Sequence, residues 1–366
     1  MNWKKVKLGE YIKVKTGRLD ANAQVDNGKY PFFTCSKDAL QIDSFSYDCE
    51  CVLIAGNGDL NVKYYKGKFD AYQRTYIIES KDMNILNLRY LYNFMSKYVE
   101  KLRFDSIGGV IKYIKIGNIT DIQIPLPDLI TQQHIAKVLD QADALRQQNR
   151  QLLANYDELL QSTFIDLFGD PVKNEKGWEV KKLGEVSDAR LGKMLDSKKQ
   201  TGLSKFKYLG NSNVLWGKFK FNDLMEMDFT QKERIELSLK KGDLLICEGG
   251  EVGRCAIWQE ALEKCYFQKA LHRVRVHLDK MIPEYLQFLM WFYAKNGGLK
   301  DYVTVATIAH LTGIKLKSLP IPIPPLPLQQ QFAQIVEQIE EQKAVVKQSL
   351  AESEVLFEGF LAEYFG

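Results

Sequence analysis

Two long segments with helical periodicity dominate the hydrophobic pattern of the chain. They cover residues 129–169 and 326–366, and both contain a Gln pair near the start and end on Phe-Gly. The spacing predicts two long helices that pair as an antiparallel coiled coil, with Asn149 as a polar break that fixes the register. The apolar positions that we assign to the seam are Ile135, Val138, Ala142, Leu145, Leu152, Tyr156, Leu159 and Phe164 in the first segment, and Phe332, Ile335, Ile339, Val346, Leu350, Phe357 and Phe360 in the second.

The segment before each long helix, which we call a head, has a mixed pattern. Alternating residues predict strands at 63–69, 75–78 and 271–278, whereas helical spacing at 87–98 and 283–294 predicts helices that pack on a small sheet. The Ile- and Pro-rich segments 119–127 and 316–327 are predicted to be extended, because proline disfavours helix. The fold class is therefore α/β (α+β).

The two halves of the chain repeat each other. The segment WKKVKLGE that begins at Trp3 returns as WEVKKLGE at Trp178, an offset of 175 residues. The triplet that begins at Tyr72 (YQR) matches the one at Phe267 (FQK) at an offset of 195, and from Gly109 onward the offset is 197. These matches indicate a tandem duplication. Most of the length difference lies before the strand at 52–55 and its counterpart, so the heads share a scaffold and differ in their loops.

Charge is distributed unevenly along the chain. Residues 129–169 carry three basic and five acidic residues, and residues 326–366 carry two and seven, which leaves +11 on the rest of a chain whose net charge is +4. Acidic helices beside basic heads favour a polyanion as the partner of the heads. No apolar run is long enough to span a membrane, and the N-terminus lacks an apolar signal segment, so we expect a cytoplasmic protein.

Motifs that carry catalysis are missing from the sequence. The Gly249-Gly-Glu-Val-Gly253 segment resembles a dinucleotide-binding loop, but a strand pattern rather than a helix follows it. The six cysteines lack disulfide or zinc spacing, and the four histidines form no metal-binding or nucleophilic constellation. We therefore expect a chain with no catalytic residues, no metal and no cofactor of its own.

Recognition of DNA is the function that the remaining residues favour. Tyr72-Gln73-Arg74 and Phe267-Gln268-Lys269 place an aromatic ring, an amide and a cation at matching positions, and such groups contact base edges and phosphates. The candidate DNA-binding residues are Lys63, Tyr72, Gln73, Arg74, Lys112, Tyr113, Lys193, Lys198, Lys199, Arg254, Gln268, Lys269, Thr307 and His310.

The complete repeat resembles the specificity subunit of type I restriction–modification systems. Each copy combines Trp-x4-Leu-Gly-Glu, an Ile/Pro segment (IQIPLP at 122–127, PIPIPPLPLQ at 320–329), Gln-Gln-x-[Ile/Phe]-Ala, a long helix and Phe-Gly. The resemblance implies two target recognition domains, at 1–128 and 170–325, with a central spacer helix at 129–169 and a C-terminal one at 326–366. Residues 206–217 and 242–258 also resemble recognition-domain segments of this family, whereas the first head lacks the longer insertion.

The resemblance also implies partners and a division of labour. Each head would read one half of an asymmetric, interrupted site in double-stranded DNA, and the helices would set the gap and dock two methyltransferase subunits. Those subunits would bind S-adenosylmethionine and the flipped adenine, and motor-nuclease subunits would join for cleavage. Two alternatives remain: a coiled-coil structural or assembly protein with incidental basic heads, and the specificity subunit of a type II system that cuts on both sides of its site.

Overall fold

The structure, a computed structural model, describes residues 3–196, 200–305 and 309–366. Contacts divide the chain into two compact units: unit 1 is Met1–Leu153 with Val345–Gly366, and unit 2 is Ala154–Ala344. Each unit contains one set of strands and short helices together with part of each of two long helices. The assignment of residues 1–128, 129–169, 170–325 and 326–366 to four separate domains stays a prediction.

The described residues 3–168 of the first half form eight strands and three α-helices. The helix α1 begins after Asn87, whose side-chain oxygen accepts a hydrogen bond from the backbone N–H of Tyr90 (2.9 Å) and so caps the helix. The elements are β1 (Lys5–Lys7), β2 (Ile12–Thr16), β3 (Tyr30–Phe33), β4 (Leu40–Ile42), β5 (Tyr47–Ala55), β6 (Val62–Ala71), β7 (Thr75–Ser80), α1 (Leu88–Phe104), α2 (Ile116–Thr120), β8 (Gln123–Pro125) and α3 (Leu129–Phe168).

A six-stranded sheet in the order β2-β7-β5-β6-β3-β4 is the centre of unit 1. Neighbouring strands are antiparallel except β3 and β6, which are parallel. Side chains alternate along β5, so Val52 and Ile54 belong to the core that includes α1, while Cys51 and Leu53 belong to a second core on the other face. Both faces of the central strand are therefore buried, which explains its nearly continuous apolar sequence.

The second half of the chain repeats this plan with additional short elements. Its strands form a four-stranded sheet in the order β10-β18-β15-β16 and a three-stranded sheet in the order β14-β11-β17. The elements are β9 (Glu179–Lys182), α4 (Leu183–Val186), β10 (Ser187–Leu191), β11 (Lys205–Leu209), β12 (Val214–Leu215), β13 (Lys218–Phe219), β14 (Met225–Asp228), α5 (Gln231–Glu236), β15 (Leu244–Cys247), β16 (Cys255–Ile257), β17 (Tyr266–Phe267), β18 (Leu271–Val276), α6 (Pro283–Lys295), β19 (Thr304–Val305), β20 (Ala309–His310), α7 (Gly313–Lys317), β21 (Pro320–Ile323) and α8 (Leu326–Phe365).

The two long helices, α3 and α8, pair in both units. In unit 1 the Asn149 side chain donates to the Ser349 hydroxyl (3.1 Å), and in unit 2 Lys343 donates to Asp157 (2.8 Å). Within each unit, the earlier part of one helix meets the later part of the other, so the pairing is antiparallel as the sequence predicts. Fully or nearly buried positions recur in α8 every seven residues at Phe332, Ile339, Val346 and Ser353.

Part of the predicted helix seam is wrong. Leu145, Leu152 and Leu159 of α3 are exposed by 41%, 39% and 48%, whereas Leu139 and Leu160 are buried instead. The buried residues of α3 are spaced by alternating steps of three and four residues. The apolar residues of α3 follow this spacing less closely. The reason is that polar side chains occupy the middle of the seam: Asn149 is buried, and the guanidinium of α3 residue Arg146 lies over the ring of α8 residue Phe357, 3.6 Å from its centre.

A buried glutamine connects each head to its long helix. Gln132 donates to the carbonyl oxygens of Ile85 and Pro127 (both 2.8 Å) and accepts from the backbone N–H of Asn87 (2.9 Å). In unit 2, Gln329 makes the same three bonds, with distances of 2.7 to 3.1 Å; its partners are the carbonyl oxygens of Lys280 and Pro324 and the N–H of Ile282. The first glutamine of each Gln pair therefore fixes the start of the helix against the head.

The Ile/Pro segments are only partly extended. β8 pairs with β1, and β21 pairs with β9, both antiparallel. The prediction was wrong at the beginning of each segment, where Ile119 lies in α2 and Leu316 lies in α7, and at the end of the second, where α8 begins at Leu326. Ile119 and Leu316 lie far enough before the next proline for a helical turn to be completed. Pro327 occupies the first turn of α8, where its missing N–H is not needed.

Candidate nucleic-acid interface

In unit 1, five loops meet at the ends of β2, β3, β5 and β6. Backbone hydrogen bonds join four of them, and the loop at 34–38 is joined through the Asn61 amide, which donates to the Cys35 carbonyl (2.8 Å). We call residues 17–20, 34–38, 56–61, 72–74 and 107–113 the first loop cluster. The Arg18 and Leu19 N–H groups donate to the Ala71 carbonyl, and the Gly56 N–H donates to the Arg74 carbonyl (2.7 Å). The Ile114 N–H donates in turn to the Gly56 carbonyl (2.9 Å). The loops thus form one continuous surface.

The first loop cluster contains five of the six candidate residues of the first head, and the sixth, Lys63, lies beside it. Gln73, Arg74, Lys112 and Tyr113 are exposed on it, and Tyr72 is half-buried in its middle. Lys63 lies beside it: its ammonium group donates to the Ser36 carbonyl (2.6 Å) and to the Asn61 side chain, and burial lowers its pKa. Lys63 therefore holds two loops together, which sequence reasoning did not anticipate.

Basic residues outnumber acidic ones on this surface. Four basic residues lie in the cluster and Lys63 lies beside it, against three acidic residues in the cluster. One of the acidic residues, Asp59, forms an ion pair with Arg103 (3.2 Å). A second, Asp20, accepts a hydrogen bond from the Gln73 amide (2.9 Å). Part of the negative charge is thus engaged within the protein. The basic residues are Arg18, Lys37, Lys63, Arg74 and Lys112.

Unit 2 contains an equivalent surface. We call residues 192–196, 210–213, 248–254, 268–270 and 310 the second loop cluster. The Lys193 N–H donates to the Phe267 carbonyl (3.1 Å), the Glu248 N–H donates to the Ala270 carbonyl (2.9 Å), and the Leu311 N–H donates to the Glu248 carbonyl (2.8 Å). Each of these bonds has a counterpart in unit 1, so the same backbone frame is built twice.

The second loop cluster contains five candidate residues of the second head. Lys269 and His310 are exposed, and Gln268 is half-buried beside Gly210. Lys193 donates to the Asp228 carbonyl (2.7 Å) and to the Glu233 carboxylate (2.6 Å), and Arg254 donates to the Asn211 carbonyl (2.9 Å). Lys193 and Arg254 therefore hold loops in place. The other three candidates, Lys198, Lys199 and Thr307, lie outside the described residues.

The matching of the two triplets was wrong by one residue. In unit 1 Phe33 pairs with Ala71, and in unit 2 Leu209 pairs with Phe267 in the same parallel arrangement. Ala71, not Tyr72, is therefore equivalent to Phe267, an offset of 196. It follows that Tyr72 corresponds to Gln268, Gln73 to Lys269 and Arg74 to Ala270, so different side chains occupy equivalent positions of the two surfaces. The error arose because YQR and FQK are similar triplets that lie one position apart when the strands are aligned.

Two acidic residues that sequence reasoning missed organise the second loop cluster. The Glu251 carboxylate accepts a hydrogen bond from the Trp216 indole (2.7 Å) and forms ion pairs with Lys295 (3.3 Å) and Arg254 (3.4 Å). The Trp216 bond is the main cause of a lowered pKa at Glu251, with further lowering by Lys295. Glu251 thereby fixes the glycine-rich loop at residues 249–253.

Asp228 has a similar role next to this loop cluster. Its carboxylate accepts backbone hydrogen bonds from Thr201, Gly202 (2.7 Å) and Ser204 (3.0 Å). Burial opposes ionisation, but these backbone bonds outweigh it and lower the pKa of Asp228. A carboxylate at the end of a strand gives no distinctive sequence signal, so this role could not have been found without the structure.

Within residues 3–196, 200–305 and 309–366, no group of three or more His, Cys, Asp or Glu side chains could hold a metal ion. Burial raises the pKa of the Cys247 and Cys265 thiols to about 11, and burial lowers the pKa of His272, whose ring lies 2.9 Å from the Leu311 carbonyl. In these same residues, no helix is long and apolar enough to cross a membrane.

Comparison with known proteins matches the chain to one family. A family model described as the type I restriction modification DNA specificity domain matches residues 1–155 and again residues 175–354. The chain is 46% identical over 140 residues to the type I restriction enzyme EcoDI specificity subunit of Escherichia coli, a match that covers 38% of this chain and 31% of that protein. It is 26% identical over 331 residues to a putative type I specificity subunit of Haemophilus influenzae, covering 86% of this chain and 81% of the relative.

Solved structures share the fold. The crystal structure of a type I restriction–modification S subunit from M. genitalium has a TM-score of 0.67 at 17% identity, and the match covers 100% of this chain and 96% of that one. A structure described as the basis of complex assembly and conformational transition of the type I R-M system has a TM-score of 0.54 at 17% identity, with 99% and 97% covered.

Proposed function

The chain belongs to the type I restriction–modification DNA specificity family, and from this premise we propose that its two loop clusters each read one half of an asymmetric, bipartite DNA site. Specificity subunits are the DNA-recognition components of type I systems. The observation that carries the proposal is the repeated backbone frame with unlike side chains. Where unit 1 presents Tyr72, Gln73 and Arg74, unit 2 presents Gln268, Lys269 and Ala270, so the two surfaces offer different hydrogen-bonding groups to base edges.

The charges support a division between DNA reading and protein docking. The first loop cluster carries more basic than acidic residues, whereas the two helical segments together carry −7. The second loop cluster carries three basic and three acidic residues. Phosphate attraction therefore favours DNA on the first loop cluster and disfavours it on the helices. We propose that α3 and α8 dock two methyltransferase subunits and that their length sets the number of base pairs between the half-sites.

Chemistry is assigned to the partners. We propose that the chain itself is not catalytic and needs no cofactor, and that the methyltransferase subunits bind S-adenosylmethionine and the flipped adenine. Motor-nuclease subunits would join this complex for cleavage. The family match does not favour the alternatives of a coiled-coil assembly protein or a type II specificity subunit.

Methylome sequencing of cells with and without this gene tests the proposal. The expected result is a set of methylated adenines in one interrupted, asymmetric motif that disappears when the gene is deleted and returns with a plasmid copy. Methylation of such a motif by this chain alone, without a methyltransferase partner, would contradict the non-catalytic role. An unchanged methylome in every background that contains a functional partner would contradict DNA recognition.

A further inference from the structure

A tight hairpin at residues 107–113 projects from the first loop cluster. The N–H groups of Ile107 and Tyr113 donate to each other's carbonyl oxygens (3.1 and 2.8 Å) and close the hairpin. The Gly58 N–H donates to the Lys112 carbonyl (2.9 Å), which ties the hairpin to the neighbouring loop. Its base is therefore fixed at several points.

The tip of this hairpin presents two aliphatic side chains to solvent. Val110 is fully exposed and Ile111 is 63% exposed. The turn depends on Gly108, whose φ of +117° is one that other residues rarely adopt and whose added Cβ would lie 2.5 Å from the Ile111 carbonyl oxygen. The turn requires glycine, and the exposed Val110 and Ile111 are β-branched and therefore stiff. The exposed tip is thus a defined part of the fold.

The surroundings of the tip identify the chemistry of its partner. Residues 107–113 include one cation, Lys112, and no acidic residue, and the adjoining loop presents Arg74, whose carbonyl is bonded to Gly56. Exposed apolar side chains beside these cations match a surface that is anionic but has local apolar groups. On the edges of DNA base pairs, the apolar group is the thymine C5-methyl, which lies in the major groove.

We propose that the 107–113 hairpin enters the major groove of the first half-site and places Val110 and Ile111 against thymine methyl groups, while Lys112 contacts the adjacent phosphate. This inference rests on the proposed function, because it assigns one part of the recognition to a particular loop. It adds an apolar reading element to the polar residues of the triplet at 72–74. The first half-site therefore contains at least one A·T pair at the position of the hairpin.

The main competing occupant is a protein surface, such as a methyltransferase subunit. The hairpin shares backbone hydrogen bonds with the loops that carry the exposed cations, and it lies apart in sequence from the acidic helices to which protein docking is assigned. The position and the charge of the tip therefore favour DNA. The two occupants make different predictions, because only DNA contact depends on the thymine methyl group.

A double-mutant cycle between protein and DNA tests the proposal. The purified complex of the full chain with its methyltransferase subunit is titrated with a duplex that contains the mapped site, by fluorescence anisotropy at a fixed salt concentration. The duplex is compared with one in which every thymine of the first half-site is replaced by uracil, which removes only the methyl group. The protein is the wild type or the double variant Val110→Ser, Ile111→Ser, whose exposed positions should leave folding unchanged by circular dichroism.

For the wild type, the expected loss on uracil substitution is about fourfold for each contacted methyl group, the change that corresponds to about 0.8 kcal/mol of apolar burial. The double variant should bind the thymine duplex more weakly by a similar factor and should not distinguish thymine from uracil. The control Leu278→Ser removes an aliphatic side chain that is 68% exposed in unit 2, outside both loop clusters and both long helices, and should keep the full uracil effect.

Three results would overturn the inference while leaving the proposed function intact. One is an equal uracil effect in the wild type and the double variant; another is a first half-site without A·T pairs. The third is a double variant that binds the methyltransferase subunit more weakly but retains the thymine preference, which would assign the hairpin to a protein contact. If instead the wild-type complex binds its site no better than random DNA, the proposed function itself fails.

Discussion

Replacing Gln132 by leucine should destabilise the first unit strongly, whereas the same change at its neighbour should not. Gln132 is fully buried, and its side chain satisfies two carbonyl oxygens and one N–H at the joint between the head and α3. Leucine has a similar size but can form none of these bonds. Three backbone groups would then be buried without partners.

The magnitude follows from the cost of unpaired buried groups. Each costs about 1–3 kcal/mol, and partial relaxation at the joint should admit water to some of them, so we expect a loss of about 3–5 kcal/mol. That is a large part of the roughly 5–15 kcal/mol that stabilises an ordinary domain. The measurement is urea-induced unfolding followed by far-ultraviolet circular dichroism.

The Gln pair itself supplies the control. Gln133 is exposed, so Gln133→Leu makes the same chemical change one residue later and should alter the free energy of unfolding by less than about 0.5 kcal/mol. In the second unit, Gln329→Leu and Gln330→Leu should behave as the same pair, because Gln329 is buried and Gln330 is exposed. Equal effects of Gln132→Leu and Gln133→Leu would refute the role of the buried glutamine.

Three further predictions follow from single contacts. Replacing the buried Asn149 by leucine should raise the free energy of unfolding by about 1 kcal/mol, since apolar burial exceeds the loss of one bond to Ser349; calorimetry that shows a lower unfolding temperature would contradict this. Lys112→Gln should reduce the slope of log affinity against log salt by about 0.9, whereas Lys5→Gln, at an exposed lysine on β1, should leave it unchanged. Burial lowers the pKa of His272 in the folded state, so the unfolded state binds more protons at this group. The contribution of His272 to the free energy of unfolding is therefore present above the ordinary pKa of about 6.5 and should decrease as pH falls toward 5. His272→Gln should weaken that dependence in urea titrations at several pH values.

The sequence predicted those features that depend on long or repeated patterns. Two 40-residue helices, their antiparallel pairing, the polar residue in their seam and the strands at 63–69 and 75–78 are all observed. These features have strong periodicity. Each one also occurs again in the second half of the chain, which supports the prediction independently. The family was also correctly identified from the repeated combination of motifs.

Other features depend on contacts that no local pattern reveals. Leu152 was predicted to lie in the helix seam but is exposed, whereas Leu139 was not predicted there and is buried. The reason is that the seam follows the partner helix and not the apolar pattern alone. Lys193 and Arg254 looked like free cations, but Glu233 and Glu251, distant or inconspicuous in sequence, bind them. Similarly, the equivalence of Tyr72 and Gln268 emerged only from strand pairing.

An exchange of one head tests the central claim that the two loop clusters read DNA independently. Residues 170–325 would be replaced by the corresponding segment of a relative with a different known motif, and the methylome of cells carrying the hybrid chain would be sequenced. One half of the methylated motif should change to that of the donor, while the other half and the gap should remain those of the wild type. A change in both halves, or in neither, would contradict it.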